Sequence, residues 1–315
     1  MSKKFKFLLA VTAVVASFAA RADDTVHIMV PFAPGGPVDA AARLLVPGLS
    51  KALGKTVVVE NRGGAGGTLG AQYVAKSRPD GLTMLLATSS FVMSAGTQSH
   101  LAYDPRKDLE PVALVGEDQT LLVVRPSLGV DTIAELVQRA RSGARLSYGS
   151  AGTGSTMNIG GELLNMTAGI KVTHIPYKGF TPALNDLLGG QVDMMNADVP
   201  ALIPFIQDKK LIPLVIYDHK RSPKLPNVPT ADEVGLPGLN MTNWYGMFLP
   251  AGVPADVRKR TETALLQVIR SPEVAPKLEA LGWTNPQDSA GFRKKLDADF
   301  DRWIPFIKKA GITTE

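Results

Sequence analysis

Residues 148–158 read YGSAGTGSTMN and link a predicted strand at 146–148 to a predicted helix at 157–166. The link holds more small and hydroxyl side chains than a helix cap requires. The amides and the positive end of a helix that starts there can hold an anion without a buried cation. The segment therefore predicts an α/β fold with an anion site at the carboxyl ends of its strands.

Two other segments repeat this order of strand, small residues and helix. Residues 30–39 read VPFAPGGPVD, in which the glycines let backbone approach a ligand and Pro37 suits a first helical turn. Asp39 is interpreted as a cap of its own helix, because a carboxylate aimed at an anion would repel it. Residues 88–91, TSSF, add hydroxyl donors after another strand. All three segments would point into one cleft.

Short β-branched runs alternate with amphipathic segments of helix length, which favours parallel sheets covered by helices on both faces. Strands are predicted at 26–30, 57–60, 83–87, 121–124, 146–148, 172–175, 192–195 and 214–217. Helices are predicted at 39–53, 69–75, 132–141, 157–166, 182–188, 200–207, 255–269, 272–281 and 289–309. Pro47 is expected to kink or end the first helix, and Pro305 to interrupt the last.

The composition excludes several classes of protein. The chain has 315 residues, 45% of them hydrophobic and 20% charged, and no cysteine, so it is neither disordered nor able to use thiol ligands or nucleophiles. Its formal charge is +5, but four of the 34 Lys and Arg residues lie in residues 1–22, which leaves 30 cations against 29 anions. The net charge of the mature chain thus does not favour nucleic acid or an anionic membrane as a binding partner.

The N-terminus predicts export. Residues 2–6 are cationic, residues 7–20 are uncharged, and Ala20 and Ala22 place small residues where signal peptidase cleaves. The 14 uncharged residues are fewer than the roughly 20 that span a bilayer. We expect residues 1–22 to be a signal peptide, cleaved after Ala22, and the mature chain to be periplasmic. At about 150 residues per domain, that mature chain suggests two domains.

No catalytic constellation is found. The four histidines lack the spacing of a metal-binding helix, and no serine has a Gly-x-Ser-x-Gly surround. The tract GAGGTLG at 64–70 is similar to nucleotide-binding loops, but three residues separate it from the preceding strand, so a turn at a lobe edge is preferred. We expect no enzyme activity, no cofactor and no metal; a nicotinamide-dependent oxidoreductase is the less favoured alternative.

These segments together resemble the exported solute-binding receptors of tripartite tricarboxylate transporters, often called Bug receptors. The resemblance covers nearly the whole mature chain; its motifs include VPFAPGGPVDAAARLL from residue 30, VVVENRGGAGGTLGA from 57, SYGSAGTGSTMN from 147, HIPYKG from 174 and GQVDMM from 190. It implies a type II periplasmic binding protein, with two α/β lobes around a ligand cleft joined by crossing strands. Lobe 1 is expected at 23–115 and 241–315, and lobe 2 at 116–240.

The resemblance also implies which residues bind the ligand. Lobe 1 would contribute Phe32, Ala33, Pro34, Gly35 and Ser89, and lobe 2 would contribute Ser150, Gly152, Thr153, Ser155, Tyr177, Lys178 and Gly179.

One departure from the family bears on the ligand. Relatives commonly carry Phe-Asp after the strand that begins at Val192, whereas this chain reads Asn196-Ala197-Asp198. Either Asn196 faces the ligand as an uncharged donor, or Asp198 replaces the displaced carboxylate. A dicarboxylate is therefore favoured over an amino acid.

The expected ligand is a small carboxylate, aliphatic or aromatic, held by amides and hydroxyls without a salt bridge. The expected protein partner is the membrane permease of a tripartite tricarboxylate transporter, and a membrane sensor kinase is the alternative. We expect a monomer that binds no nucleic acid.

Overall fold

The computed structural model describes residues 25–98 and 100–313, so the predicted signal peptide lies outside the described residues. In chain order the elements are β1 (Thr25–Val30), α1 (Pro37–Leu53), β2 (Thr56–Asn61), α2 (Thr68–Ala75), β3 (Thr83–Thr88), α3 (Ser90–Thr97), β4 (Leu109–Val124), α4 (Ile133–Arg141), β5 (Ser147–Ser150), α5 (Thr156–Ala168), β6 (Thr173–Pro176), α6 (Phe180–Leu188), β7 (Met194–Asp198), α7 (Val199–Gln207), β8 (Ile212–Ile216), β9 (Thr242–Pro250), α8 (Ala255–Ile269), α9 (Ala275–Ala280) and α10 (Ser289–Ala310).

The strands form one sheet in the order β2-β1-β3-β9-β4-β7-β5-β6, with β8 also paired to β4. The long strand β4 divides it: residues 109–119 pair antiparallel with β9, and residues 120–124 pair with β7 and β8. We call β1, β2, β3 and β9 the first section, and β5, β6, β7 and β8 the second section. Within each section the pairs β1–β2, β1–β3, β5–β6 and β5–β7 are parallel, as the alternating pattern predicted.

Helices cover both faces of the sheet, which explains why β1 reads as an apolar run rather than an alternating one. One apolar layer extends over both sections and includes Leu85, Leu122, Trp244, Phe248 and the buried side of α10. On the opposite face, α1, α8 and α9 cover the first section and α6 and α7 cover the second. None of the helices within the described part of the chain is long and apolar enough to cross a membrane.

Helix α10 is fastened to both crossing strands. Trp244 Nε1 on β9 donates to Asp299 Oδ2 at 2.6 Å, and Lys295 Nζ pairs with Glu117 Oε1 on β4 at 2.6 Å. Burial raises the pKa of Asp299, although the charge of Lys295 and the bond from Trp244 oppose this. The junction of the two sections is therefore held from one side by a single helix.

Neither proline ends its helix. Helix α1 runs through Pro47 to Leu53, and α10 runs through Pro305 to Ala310, so the predicted interruption at Pro305 is wrong. Apolar side chains on both sides of each proline are buried in the core, namely Leu45, Leu49, Trp303 and Ile307. Their burial outweighs the one backbone hydrogen bond that each proline removes.

Replacing Gly246 by Ala should destabilise the fold. An added Cβ on this β9 residue would overlap the ring of Phe292, which already packs against Trp244 and Phe248 with ring centroids 5.1 Å away in each case. Overpacking of this kind lowers the free energy of unfolding by about 1–3 kcal/mol. Urea denaturation measures the loss.

The control for this variant is Phe292→Leu, alone and combined with Gly246→Ala. The smaller side chain relieves the overlap, so the double variant should lose less stability than the two single losses added together. Strictly additive losses would contradict the packing explanation.

Candidate functional site

A small cavity lies between the two sections, at the carboxyl ends of β1, β3, β5 and β7. The centres of water molecules can occupy about 60 Å³ of this cavity. That volume is enough for several water-sized groups. Among the described residues that line it, none is Lys, Arg or His. The lining consists of Phe32, Ala33, Gly36, Pro37, Val38, Asp39, Thr88, Ser90, Thr120, Ala151, Ser155, Thr156, Met157, Phe180, Asn196, Ala197, Asp198, Asn243 and Tyr245.

A hydrogen-bond network forms the floor of the cavity. Ser89 Oγ donates to Asn243 Oδ1 at 2.7 Å, and Asn243 Nδ2 donates to Asp198 Oδ1 at 2.9 Å. The Tyr245 hydroxyl donates to the other oxygen, Oδ2, of Asp198. Burial raises the pKa of Asp198, and the bonds from Tyr245 and Asn243 oppose that shift. The network joins β9 to the end of β7.

Loops of the two sections touch across the cavity. Ala33 N, after β1, donates to Lys178 O, after β6, at 3.3 Å. Thr156 N, at the start of α5, donates to Ser90 Oγ, at the start of α3, at 2.9 Å. These bonds hold the sections together around the cavity.

The glycine tract at 64–70 is a contact between the sections. Gly66 has φ +64°, and a Cβ there would lie 2.5 Å from Thr153 O and 3.2 Å from Ser155 N. Backbone of the second section therefore fills the space beside the tract. This geometry favours the expected turn at a lobe edge over a nucleotide loop.

Asp39 braces the loop after β1. Its carboxylate accepts from Gly35 N, Arg43 Nε and Asn61 Nδ2, each at 3.0 Å. Burial would raise the pKa of Asp39, but these bonds and the charge of Arg43 outweigh it and hold the pKa below its usual value. Helix α1 begins after Gly36 without a side-chain cap, so Asp39 stabilises the loop ahead of the helix instead of capping its first amides.

Two buried polar groups in the lining have no partner. Thr120 Oγ1 and Asn196 Nδ2 make no hydrogen bond, and each residue is only 1% exposed. The Asn196 amide lies against α5 at Gly160, where a Cβ would overlap it. Leaving a buried polar group unpaired costs about 1–3 kcal/mol. A ligand in the cavity could supply the missing partners.

Five of the predicted site residues line the cavity, namely Phe32, Ala33, Ser155, Asn196 and Asp198. Ser155 also caps α5 by accepting from Asn158 N at 3.2 Å. Both alternatives for the departure from the family, Asn196 and Asp198, thus reach the same cavity.

The other predicted residues surround the cavity without lining it. Ser150 Oγ shares a hydrogen bond with His174 Nε2 at 2.6 Å and accepts from Gly152 N at 3.1 Å. The Tyr177 hydroxyl donates to Asp186 Oδ2 at 2.6 Å; burial, with this bond, raises the pKa of Tyr177 to about 12. The remaining ones form the loops that face the opposite section or support the floor: Pro34, Gly35, Ser89, Thr153, Lys178 and Gly179.

Sequence reasoning did not single out several lining residues. Ser90 and Thr156 lie inside the quoted segments and share their hydroxyl signal, as does Thr88. Thr120, Asn243 and Tyr245 lie on the crossing strands, away from the strand-to-helix junctions that the sequence marks as sites. Only the pairing register of β4, β7 and β9 brings these three to the cavity. Within residues 25–98 and 100–313, no group of three or more His, Asp or Glu could hold a metal ion.

Residues 41–312 match the family model described as the tripartite tricarboxylate transporter family receptor. The chain belongs to this family. Solved members are similar over most of their length: BugD, a periplasmic binding protein, is 33% identical with a TM-score of 0.86, covering 92% of this chain and 98% of its own. The chain is thus a periplasmic solute-binding receptor, and family membership confirms the expected fold class and the expectation that it is not an enzyme.

Two further structures carry bound acids. MatC from Rhodopseudomonas palustris, solved with bound malate, is 33% identical with a TM-score of 0.84, covering 90% of this chain and 98% of its own. Another R. palustris protein, solved with adipate, is 32% identical with a TM-score of 0.86, covering 92% and 98%.

Replacing Gly66 by Ala should prevent the two sections from meeting at residues 153–155. The added methyl group would press on Thr153 O, so small-angle X-ray scattering should give a larger radius of gyration than for the wild type. The matched control is Gly129→Ala, because Gly129 has a similar φ of +69° but no atom near its missing Cβ.

In both variants the free energy of unfolding should fall by about 1–2 kcal/mol, because alanine disfavours the left-handed backbone conformation. Only Gly66→Ala should change the radius of gyration. An equal radius in both variants would mean that the two sections do not meet at Gly66 in solution.

Proposed function

We propose that this receptor captures a small dicarboxylate, aliphatic or aromatic, in the cavity between its two sections and delivers it to a membrane permease. The observation that carries the proposal is the pair of unpartnered buried donors, Thr120 Oγ1 and Asn196 Nδ2, in a cavity lined without a cation. Malate and adipate in the two R. palustris structures support a carboxylate as the ligand.

Neutral donors supply the attraction for the anion. Helix α1 begins at the cavity without a side-chain cap, so its first amides are available to a carboxylate. The positive ends of helices favour an anion at such positions. The ligand does not need a salt bridge to the protein. The negative charge of Asp39 is already balanced by Arg43.

The body of the ligand meets apolar side chains. Phe32, Val38, Met157 and Phe180 line the cavity between its polar groups. They suit an aliphatic chain or an aromatic ring between two carboxylates. Tyr177 does not line the cavity, and its hydroxyl is bonded to Asp186.

Capture involves closure of two lobes, residues 23–115 with 241–315 and residues 116–240. Strands β4 and β9 connect the lobes, so bending near their middles would open the cavity. A ligand that contacts both lobes shifts the equilibrium toward the closed form, and the permease recognises that form. The receptor works as a monomer after removal of residues 1–22.

Thr120→Val tests the binding site. Valine has nearly the same shape but no hydroxyl, so stability should stay the same or rise, since a buried unpartnered group is removed. Malate affinity, measured by calorimetry, should fall by about tenfold or more, because a hydrogen bond to a charged group contributes about 1.5–3 kcal/mol.

The matched control is Tyr217→Phe. It also removes a buried hydroxyl without a partner, but Tyr217 does not line the cavity, so malate affinity should not change. Unchanged affinity in Thr120→Val would refute the assignment of this cavity. A wild-type protein that binds neither malate, succinate, adipate nor phthalate would refute the proposed ligand class.

A further inference from the structure

The loop at residues 151–155 joins β5 to α5 and contributes Ala151 and Ser155 to the lining of the cavity. Its backbone also runs close to the first section, since a Cβ at Gly152 would lie 3.3 Å from Gly66 N. A shift of this loop would therefore change both the cavity and the contact between the sections.

Ser150, the last residue of β5, fixes the start of this loop. Its Oγ accepts from Gly152 N at 3.1 Å, and it lies 2.6 Å from His174 Nε2 and 3.2 Å from Gly152 O. A hydroxyl has one proton to donate, and the shorter separation favours His174 Nε2 as its acceptor. The Ser150 hydroxyl thus donates to the imidazole, which leaves its oxygen oriented to accept from Gly152 N.

The neighbouring strand holds His174 in place. His174 is the direct partner of Tyr148 in the parallel pair β5–β6, and the two rings stack with centroids 4.9 Å apart and an angle of 24° between their planes. The Tyr148 hydroxyl donates to Glu162 Oε1 at 2.6 Å and accepts from Asn158 Nδ2 at 2.9 Å. Asn158 Oδ1 in turn accepts from Gly154 N at 2.9 Å. The stacked pair therefore supports both ends of the loop.

The surroundings of His174 favour a neutral imidazole. Burial lowers the pKa of His174 below its usual value, and the negative charge of Glu162 opposes this shift. Helix α5 packs on the Tyr148 side of the two strands, and Glu162 is the one charged residue among residues 156–168. The Glu162 carboxylate accepts from Tyr148 and from Asn165 Nδ2, at 2.6 and 3.2 Å. A neutral His174 can keep Nε2 as an acceptor.

We propose that His174 is a positioning residue for ligand binding: as a neutral acceptor it orients the Ser150 hydroxyl, and Ser150 holds the loop at 151–155 in the conformation that lines the cavity. This inference rests on the proposed function. Protonation would turn Nε2 into a donor, so the imidazolium and Gly152 N would compete for Ser150 Oγ. Malate affinity should therefore fall as His174 becomes charged.

Two substitutions separate the stacking of His174 from its role as an acceptor. His174→Gln places an uncharged amide oxygen near the position of Nε2, so malate affinity at neutral pH, measured by calorimetry, should stay within about twofold of the wild type. His174→Phe keeps the stacking on Tyr148 but offers no acceptor, so affinity should fall by about three- to tenfold. Thermal denaturation confirms that each variant folds.

The matched control is His219→Gln. His219 Nδ1 also has a side-chain partner, Asp232 Oδ2 at 2.7 Å, but His219 is exposed and does not line the cavity. This variant should bind malate as tightly as the wild type.

The effect of His174 should pass through Ser150. Ser150→Ala alone should weaken malate binding about as much as His174→Phe does, and adding His174→Phe to Ser150→Ala should cause no further loss of affinity. Additive losses would show that His174 acts by another route and would overturn the inference.

The pH dependence of binding is a readout that packing alone would not change. Imidazole NMR, with the His174 signal assigned by its absence from His174→Gln, should show the neutral ring protonated on Nδ1. Because burial lowers the pKa, the ring should titrate below the usual value of about 6.5. Across that titration the malate affinity of the wild type should fall relative to His174→Gln. Ionisation of malate, Asp118 and Asp198 is common to both proteins and cancels in the ratio.

A ratio of the two affinities that stays constant or rises as His174 becomes protonated would overturn this inference and leave the receptor function standing. A proton on Nε2 of the neutral ring, full affinity in His174→Phe, or equal losses in His174→Phe and His174→Gln would overturn it as well. Failure of the wild type to bind malate, succinate, adipate or phthalate would instead overturn the proposed ligand class, and the inference with it.

Discussion

The pairing of β4 with its neighbours is the constraint on which the site depends. Its first part is bonded to β9 and its last five residues to β7, so one strand sets the position of both sections. This register places Thr120 opposite Asp198 and Asp118 opposite Asn243. Thr120 and Asn243 are more than 100 residues apart in the sequence, yet this register brings both to the floor of the cavity.

A cavity without lining cations can still hold an anion, because the donors are fixed before the ligand arrives. Loops after β1, β3 and β5 present amides and hydroxyls, and the Ser89, Asn243 and Tyr245 bonds fix the floor. Preorganised neutral donors avoid the desolvation cost of a buried cation. The unpartnered atoms of Thr120 and Asn196 lower the stability of the protein, and the proposed ligand would supply their missing partners.

Much of this arrangement could be predicted from local sequence. The parts that could not be predicted depend on contacts between residues far apart in the chain. The strand-to-helix junctions at Phe32 and Ser155 follow from glycines, hydroxyls and helix starts within a few residues. Helix α3 is not among the predicted helix ranges, although residues 88–91 were expected to lead from a strand into a helix; burial of Phe91, Val92 and Met93 stabilises it. Thr120 and Tyr245 lie within strands, away from any strand-to-helix junction, and only long-range register brings them to the cavity.

The most direct measurement is a crystal structure of the receptor with malate bound. Malate should lie in the cavity between the sections, with its carboxylate oxygens about 2.7–3.2 Å from main-chain amides and from Thr120 and Asn196. Its carboxylates should make no contact with a Lys or Arg side chain. Malate seated elsewhere, or a carboxylate paired with Arg43 or another cation, would contradict the claim that neutral donors hold the ligand.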